Sequence, residues 1–205
     1  PYRGLEDLNS DQTQAWIIEQ NRFTDSYLDD LIEQKEIKLL LEKIYNKENQ
    51  SVPFRRKSKI FTYYNNGTWQ QSKLFYKEMT ADEKTLVIDP NLLSIDGTVS
   101  IGSVSVSPNS ELIAYSISDG GSDWKTWKIK HIKSGNILED TIKWSKFSNA
   151  EWAKDNSGFY YSGYSEPQKG DEYKELNRNQ KLFFHTLGQP QSNDQLIYER
   201  PEHPE

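Results

Sequence analysis

The spacing of apolar positions changes near Ser51. Before it, apolar residues fall at helical steps. Trp16, Phe23, Tyr27 and Leu31 are separated by seven, four and four residues, which places them on one helix face. Ile37, Leu40, Leu41 and Ile44 form a second stripe, on a helix expected over about 35–46. Asn9 or Ser10 is placed to cap the first helix, with Gln12 or Thr13 near its third position. Both stripes read as packing faces, and the surface they pack on need not lie in this chain.

After Ser51 the pattern becomes short aromatic and β-branched runs, and one unit repeats. Phe54 to Tyr63, Val106 to Tyr115 and Trp152 to Tyr161 share one layout: an apolar residue, a polar turn, an apolar residue seven later, and Tyr two after that. Phe61, Ile113 and Phe159 occupy equivalent places, as do Tyr63, Tyr115 and Tyr161, with offsets of 52 and 46 residues. Ser107-Pro108-Asn109 and Asp155-Asn156-Ser157-Gly158 are good hairpin-turn chemistry. A further strand follows each unit, over Lys73 to Glu78, Lys125 to Ile132 and Lys181 to Leu187. Trp127-Lys128-Ile129-Lys130 alternates as a half-buried strand does. A strand–turn–strand unit recurring at about 50 residues is the signature of a β-propeller blade. The expected fold is therefore mainly β: a helical segment over 1–50, then about three blades of an incomplete β-propeller over 51–205. The blades span about 51–100, 101–146 and 147–205. Three blades cannot close a ring, and open blade edges are prone to pair with other strands.

Composition narrows the function classes. The chain has 205 residues, enough for one or two domains with a buried core. Twelve Tyr, eight Phe and six Trp suit blades better than a helical bundle. The net charge is −6, and Arg55-Arg56-Lys57 is the longest basic run, which argues against nucleic-acid binding. No cysteine is present, so a disulfide framework, a thiolate metal site and a cysteine nucleophile are excluded. No apolar run approaches a membrane span.

No catalytic constellation is visible. A Ser nucleophile on a strand-to-helix elbow needs G-x-S-x-G. Gly120-Gly121-Ser122-Asp123-Trp124 ends in Trp, and Gly163-Tyr164-Ser165-Glu166-Pro167 ends in Pro. Ser122 and Asp123, with His131 nearby, read as turn and capping residues. His131, His185 and His203 lack ligand spacing, and Asp25, Asp29, Asp30 and Glu33 read as a solvated acidic face. Asp82-Glu83-Lys84 reads as a loop, and there is no Gly-rich phosphate loop. No catalytic residue and no metal ligand is assigned.

Specific motifs then point to a family. Pro1-Tyr2-Arg3-Gly4-Leu5-Glu6-Asp7, Ser10, Ala15-Trp16 and Gln20-Asn21 resemble the opening P-Y-x-W-L-E-D and S-x-x-T-x-A-W-V-x-x-Q-N of prolyl oligopeptidases. Asp89-Pro90-Asn91-Leu92-Leu93 with Asp96-Gly97-Thr98, Gly121-Ser122-Asp123-Trp124, and Lys146-Phe147-Ser148 with Trp152 resemble later stretches of the same family, in one register. Gly4 departs from the pattern, which usually has Trp there and so a firmer docking of the N-terminal segment.

The resemblance implies the N-terminal portion of a serine endopeptidase that cleaves short peptides after proline. It implies a parent with a seven-bladed propeller and an α/β-hydrolase domain, whose Ser–Asp–His triad lies downstream of this chain. The chain alone is then inactive, and the propeller gates substrate access. Tyr160 is the candidate substrate contact, with a blade-core aromatic as the competing reading. No cofactor is implied. The implied partners are short proline-containing peptides and the downstream hydrolase domain, in a monomeric parent with no nucleic acid and no membrane. A cytoplasmic location is expected, with periplasmic or secreted ones left open. The chain is read as a piece that begins inside a motif. Alternatives are a non-catalytic propeller-type binding or scaffold remnant, and a sister oligopeptidase preferring basic residues.

Overall fold

The computed structural model describes residues 2–168, 170–172 and 176–204. Two helices lead, α1 (Asp11–Asp29) and α2 (Ile32–Tyr45), preceded by a single 3-10 turn at Arg3–Leu5. Ser10 caps α1: its hydroxyl accepts the Thr13 N–H, and the Thr13 hydroxyl in turn donates to the Gly4 carbonyl. This ties the opening turn to the helix start. Among the described residues thirteen strands follow, in three antiparallel sheets.

The first sheet holds β1 (Asn49–Gln50), β2 (Phe54–Arg56), β3 (Lys59–Asn65), β4 (Lys73–Glu78) and β5 (Thr85–Ile88). Here β1 and β2 act as one edge strand interrupted before Phe54, since both pair with β3. Pro53 has no N–H to donate, and Ser51 spans the break by taking the Tyr63 N–H on its hydroxyl. The second sheet is β6 (Ser100–Val106), β7 (Leu112–Ser118), β8 (Lys125–His131) and β9 (Ile137–Ser145). The third is β10 (Glu151–Trp152), β11 (Gly158–Gly163), β12 (Lys181–Thr186) and β13 (Gln195–Tyr198).

The sequence repeat is a register repeat. Phe54 faces Phe61, Val106 faces Ile113, and Trp152 faces Phe159, each pair directly opposite across a hairpin. Each hairpin turns through a non-glycine residue in the left-handed region: Lys57 (φ 48°), Ser110 (φ 57°) and Asn156 (φ 64°). Asn156 also accepts the Asn109 N–H on its side chain, so the turns of adjacent sheets hold each other.

Alternation along β7 explains the packing. Ile113 and Tyr115 join a core with Phe61, Leu74, Tyr76, Val87 and Ile88 of the first sheet. Leu112 and Ala114 face the other way and pack with Trp127, Ile129 and Ile142, against Phe159 and Tyr161 of the third sheet. Two successive cores therefore join three sheets face to face, as propeller blades do. Trp152 strengthens the second seam by donating its indole N–H to the Ser105 carbonyl, 3.0 Å away.

Gly158 is sterically required there. A Cβ at this position would lie 1.9 Å from the His185 carbonyl oxygen on β12. Gly158→Ala is expected to force β11 and β12 apart and to cost about 1–3 kcal/mol or more. A urea titration followed by tryptophan fluorescence checks this.

The helical part corrects the sequence reading in detail. The second helix starts at Ile32 rather than near Lys35, and Leu31 lies between the helices instead of on the α1 stripe. Residues 49–50 are strand rather than helix. Strands β8 and β12 each stop one residue short of the expected end, at His131 and Thr186.

Candidate functional site

Antiparallel connectivity sorts the connections onto two ends of the stacked sheets. The short hairpins 107–111, 132–136 and 153–157 lie at one end. The segments 66–72, 89–99, 119–124 and 146–150, and the described residues of 164–180, gather at the other. Cross-links join this second set. Gln71 donates its side-chain amide to the Val99 carbonyl, and Thr98 donates its hydroxyl to Asp119. The N-terminal segment reaches the same end, where Glu6 to Asn9 and Asp119 to Asp123 border an open cleft of about 790 Å³.

An aromatic cluster builds the rest of this end. Trp124 meets Trp144 and Tyr164 edge-on, at centroid distances of 5.3 and 6.0 Å. The Lys146 ammonium lies 3.7 Å from the Trp124 ring centre and donates to the Asn177 side-chain oxygen. Burial lowers the Lys146 pKa below the ordinary lysine value, while nearby Asp123 opposes that shift.

One side chain of the 146–150 connection stands apart. Ser145, Lys146 and Ser148 are buried around it. Ser145 accepts the Trp127 indole N–H and donates to the Ser162 carbonyl, and Ser148 accepts the Ser162 N–H. Between these anchors Phe147 is 62% exposed, and its backbone is left-handed at φ 51°. An exposed aromatic held in a strained conformation by buried neighbours is a feature of ligand-contacting loops. Phe147 entered the sequence reading only as a motif letter. Neither its φ nor its exposure leaves a trace in composition or period.

The other sequence candidates fall elsewhere. Tyr160 lies mid-strand on β11, with its ring 4.8 Å from that of Phe184. It points to the opposite face from Phe159 and Tyr161, on the side of the third sheet away from the second. His131 is the last of the seven residues of β8 and Ser122 lies three residues before the strand begins, so about 20 Å of strand separates them. Ser122 instead accepts the Trp124 N–H, and its own N–H donates to the Asp119 carbonyl, which is turn chemistry. Asp25, Asp29, Asp30 and Glu33 are exposed. Among the described residues no group of acidic and histidine side chains has a geometry suited to a metal ion. Part of the Gly163 to Lys181 loop, at 169 and 173–175, lies outside the described residues. His185 is fully buried between Asp140 and Asp194, a contact that sequence spacing gave no reason to expect.

These loops close one end of the stacked blades, and the whole chain, residues 1–205, matches the family described as prolyl oligopeptidase, N-terminal beta-propeller domain. The chain belongs to the prolyl oligopeptidase family. It is 38% identical to a prolyl endopeptidase of Elizabethkingia meningoseptica over 197 residues, covering 96% of this chain and 28% of that protein. It is 30% identical to a prolyl endopeptidase of Dictyostelium discoideum, covering all of this chain and 33% of the relative. A solved structure from work on two prolyl endopeptidases superposes with a TM-score of 0.87 at 26% identity, over 98% of this chain and 30% of the other. Prolyl oligopeptidase B of Galerina marginata, bound to a 35-residue hydrolysis and macrocyclization substrate, gives 0.82 at 27% identity, over all of this chain and 31% of the other. The chain thus spans about a third or less of the prolyl oligopeptidases it matches.

Proposed function

We propose that this chain is the helical and first-blade portion of a serine endopeptidase that cleaves short peptides after proline. Its exposed apolar helices support that reading. Phe23 and Tyr27 on α1, and Ile37, Leu40 and Ile44 on α2, lie open to solvent although they form stripes. A stripe of that kind is a packing face without its partner, and a hydrolase domain downstream is the partner we assign to it. Gly4 leaves room beside it: a Cβ there would meet only the Gln12 side chain, at 3.8 Å.

In this reading the chemistry is acyl transfer. A serine oxygen from the downstream domain attacks the carbonyl carbon of the proline, a histidine takes its proton and gives it to the leaving amine, water then hydrolyses the acyl-enzyme, and an aspartate orients the histidine. The blades contribute selection. Their open-loop end faces the hydrolase, and a short flexible peptide passes where a folded protein cannot. No cofactor is required by these steps.

We assign the substrate contact from this chain to Phe147, because it is an aromatic side chain held out at that end by buried neighbours in a left-handed backbone conformation. Tyr160, the sequence candidate, competes for the role from mid-strand. In the complete gene product, Phe147→Ala is expected to raise KM for a short proline-containing peptide about tenfold with kcat nearly unchanged, the pattern of lost uniform binding. Tyr160→Ala is expected to leave KM within about twofold and to act on stability through its Phe184 contact. Initial rates across substrate concentration separate the two. A KM rise confined to Tyr160→Ala would return the contact to Tyr160.

A further inference from the structure

The most buried polar cluster has no part in the function proposed above. His185 has no exposed surface. Its Nδ1 lies 2.7 Å from Asp194 Oδ1 and its Nε2 lies 2.9 Å from Asp140 Oδ1. Both carboxylates are almost completely buried. Each also has a second donor: the Gly188 N–H reaches Asp140 Oδ1 at 2.6 Å, and the Tyr161 hydroxyl reaches Asp194 Oδ2 at 2.7 Å. Asp140 belongs to β9 of the second sheet, His185 to β12 of the third, and Asp194 to the turn leading into β13. The cluster therefore crosses the seam between two sheets.

Counting hydrogens decides its protonation. A neutral imidazole carries one N–H. It would aim a lone pair at one of two carboxylate oxygens less than 3 Å away. Each carboxylate also accepts a second hydrogen bond, from the Gly188 N–H or the Tyr161 hydroxyl, so both face the ring as acceptors. An imidazolium donates to both. The groups facing His185 from each packed element are Asp140 from β9, Asp194 from the turn and Tyr161 through Asp194 from β11, with the Phe159 ring 5.4 Å away. Gln191 is neutral and donates to the Tyr161 hydroxyl. Among the described residues no other charged group pairs with His185.

We propose that protonated His185 is a clasp between the second and third sheets, which opens at one of its two carboxylates when the imidazolium loses its proton. Opening loosens the 187–194 turn against β9, to which the Gly188 N–H on Asp140 and the paired Gln191–Lys143 hydrogen bonds still tie it. Burial alone would lower the imidazole pKa, but the hydrogen bonds and charges of Asp194 and Asp140 outweigh it and hold the pKa above the ordinary value of 6.5. A raised native pKa gives stabilisation that is complete below the unfolded value and is lost as pH climbs through the native one. The clasp is therefore closed in mild acid and loosens on the alkaline side.

Amide hydrogen exchange read by mass spectrometry on the complete gene product tests this. After correction for intrinsic rates, peptides covering 137–145 and 186–196 are expected to lose protection between pH 6 and pH 9. The loss is about tenfold for each unit by which pH exceeds the native pKa, while a peptide covering 112–118 holds its protection. In His185→Gln the two seam peptides are expected to be weakly protected at both values. Should that variant not fold, the wild-type comparison stands by itself. Seam peptides equally protected at pH 6 and pH 9, or a loss shared uniformly with 112–118, would overturn the clasp.

Discussion

Phe159→Ala is expected to remove about 3–5 kcal/mol of stability, the range for emptying a fully buried aromatic position. Phe159 has no exposed surface, and its ring touches Trp127, Trp152, Tyr161 and His185. It therefore joins the hairpin partner, the second sheet and the buried histidine cluster. Little can collapse into the space, because β7 already fills both sides of the second sheet with Ile113 and Tyr115 on one face and Leu112 and Ala114 on the other. The neighbouring Tyr160→Phe change is the control. It deletes one hydroxyl from a partly exposed ring and is expected to cost well under about 1 kcal/mol. Denaturation of the two variants, followed through the tryptophans at the same seam, compares them directly.

Asp140→Ala is expected to be damaging as well, at about 1–3 kcal/mol for each buried donor it leaves without an acceptor, while Asp194 still compensates the His185 charge. The change strips the acceptor from both His185 Nε2–H and the Gly188 N–H. Asp140→Asn should recover part of the loss, since its amide oxygen still accepts one of those hydrogens without the charge. Measuring both variants at pH 6, where the imidazolium contribution is complete, gives the clearest difference. Equal stability of Asp140→Ala and wild type would mean that the cluster is not under load.

The blade hairpins were legible because their cause is local. A seven-residue offset between apolar positions, with a polar stretch between them, specifies both the turn and the facing pair, and Phe61, Ile113 and Phe159 are all fully buried. The helix junction was less legible. Asp29, Asp30 and Leu31 include no glycine or proline to mark the stop, so the start of α2 was placed three residues late. Site features were harder still. Asp140, His185 and Asp194 are 45 and 9 residues apart and meet only because the second sheet packs on the third. The exposure of Phe147 depends on buried serines on both sides of it, whose partners lie on β8 and β11. Period and motif reach neighbours along the chain, whereas these contacts are set by which sheets stack.

In the proposed function this chain supplies scaffold and gate while the reacting groups come from downstream. Ser122 and His131 stand at opposite ends of β8, and a nucleophile must lie within hydrogen-bond reach of its base, about 2.6–3.2 Å. The most direct measurement is a fluorogenic Gly-Pro peptide assay on the 205-residue chain beside the complete gene product, each also carrying Ser122→Ala. The account predicts no turnover by the 205-residue chain, turnover by the complete product, and no loss from Ser122→Ala. Turnover by the short chain that disappears with Ser122→Ala would contradict it, and silence in every sample would turn the reading toward a non-catalytic binding protein.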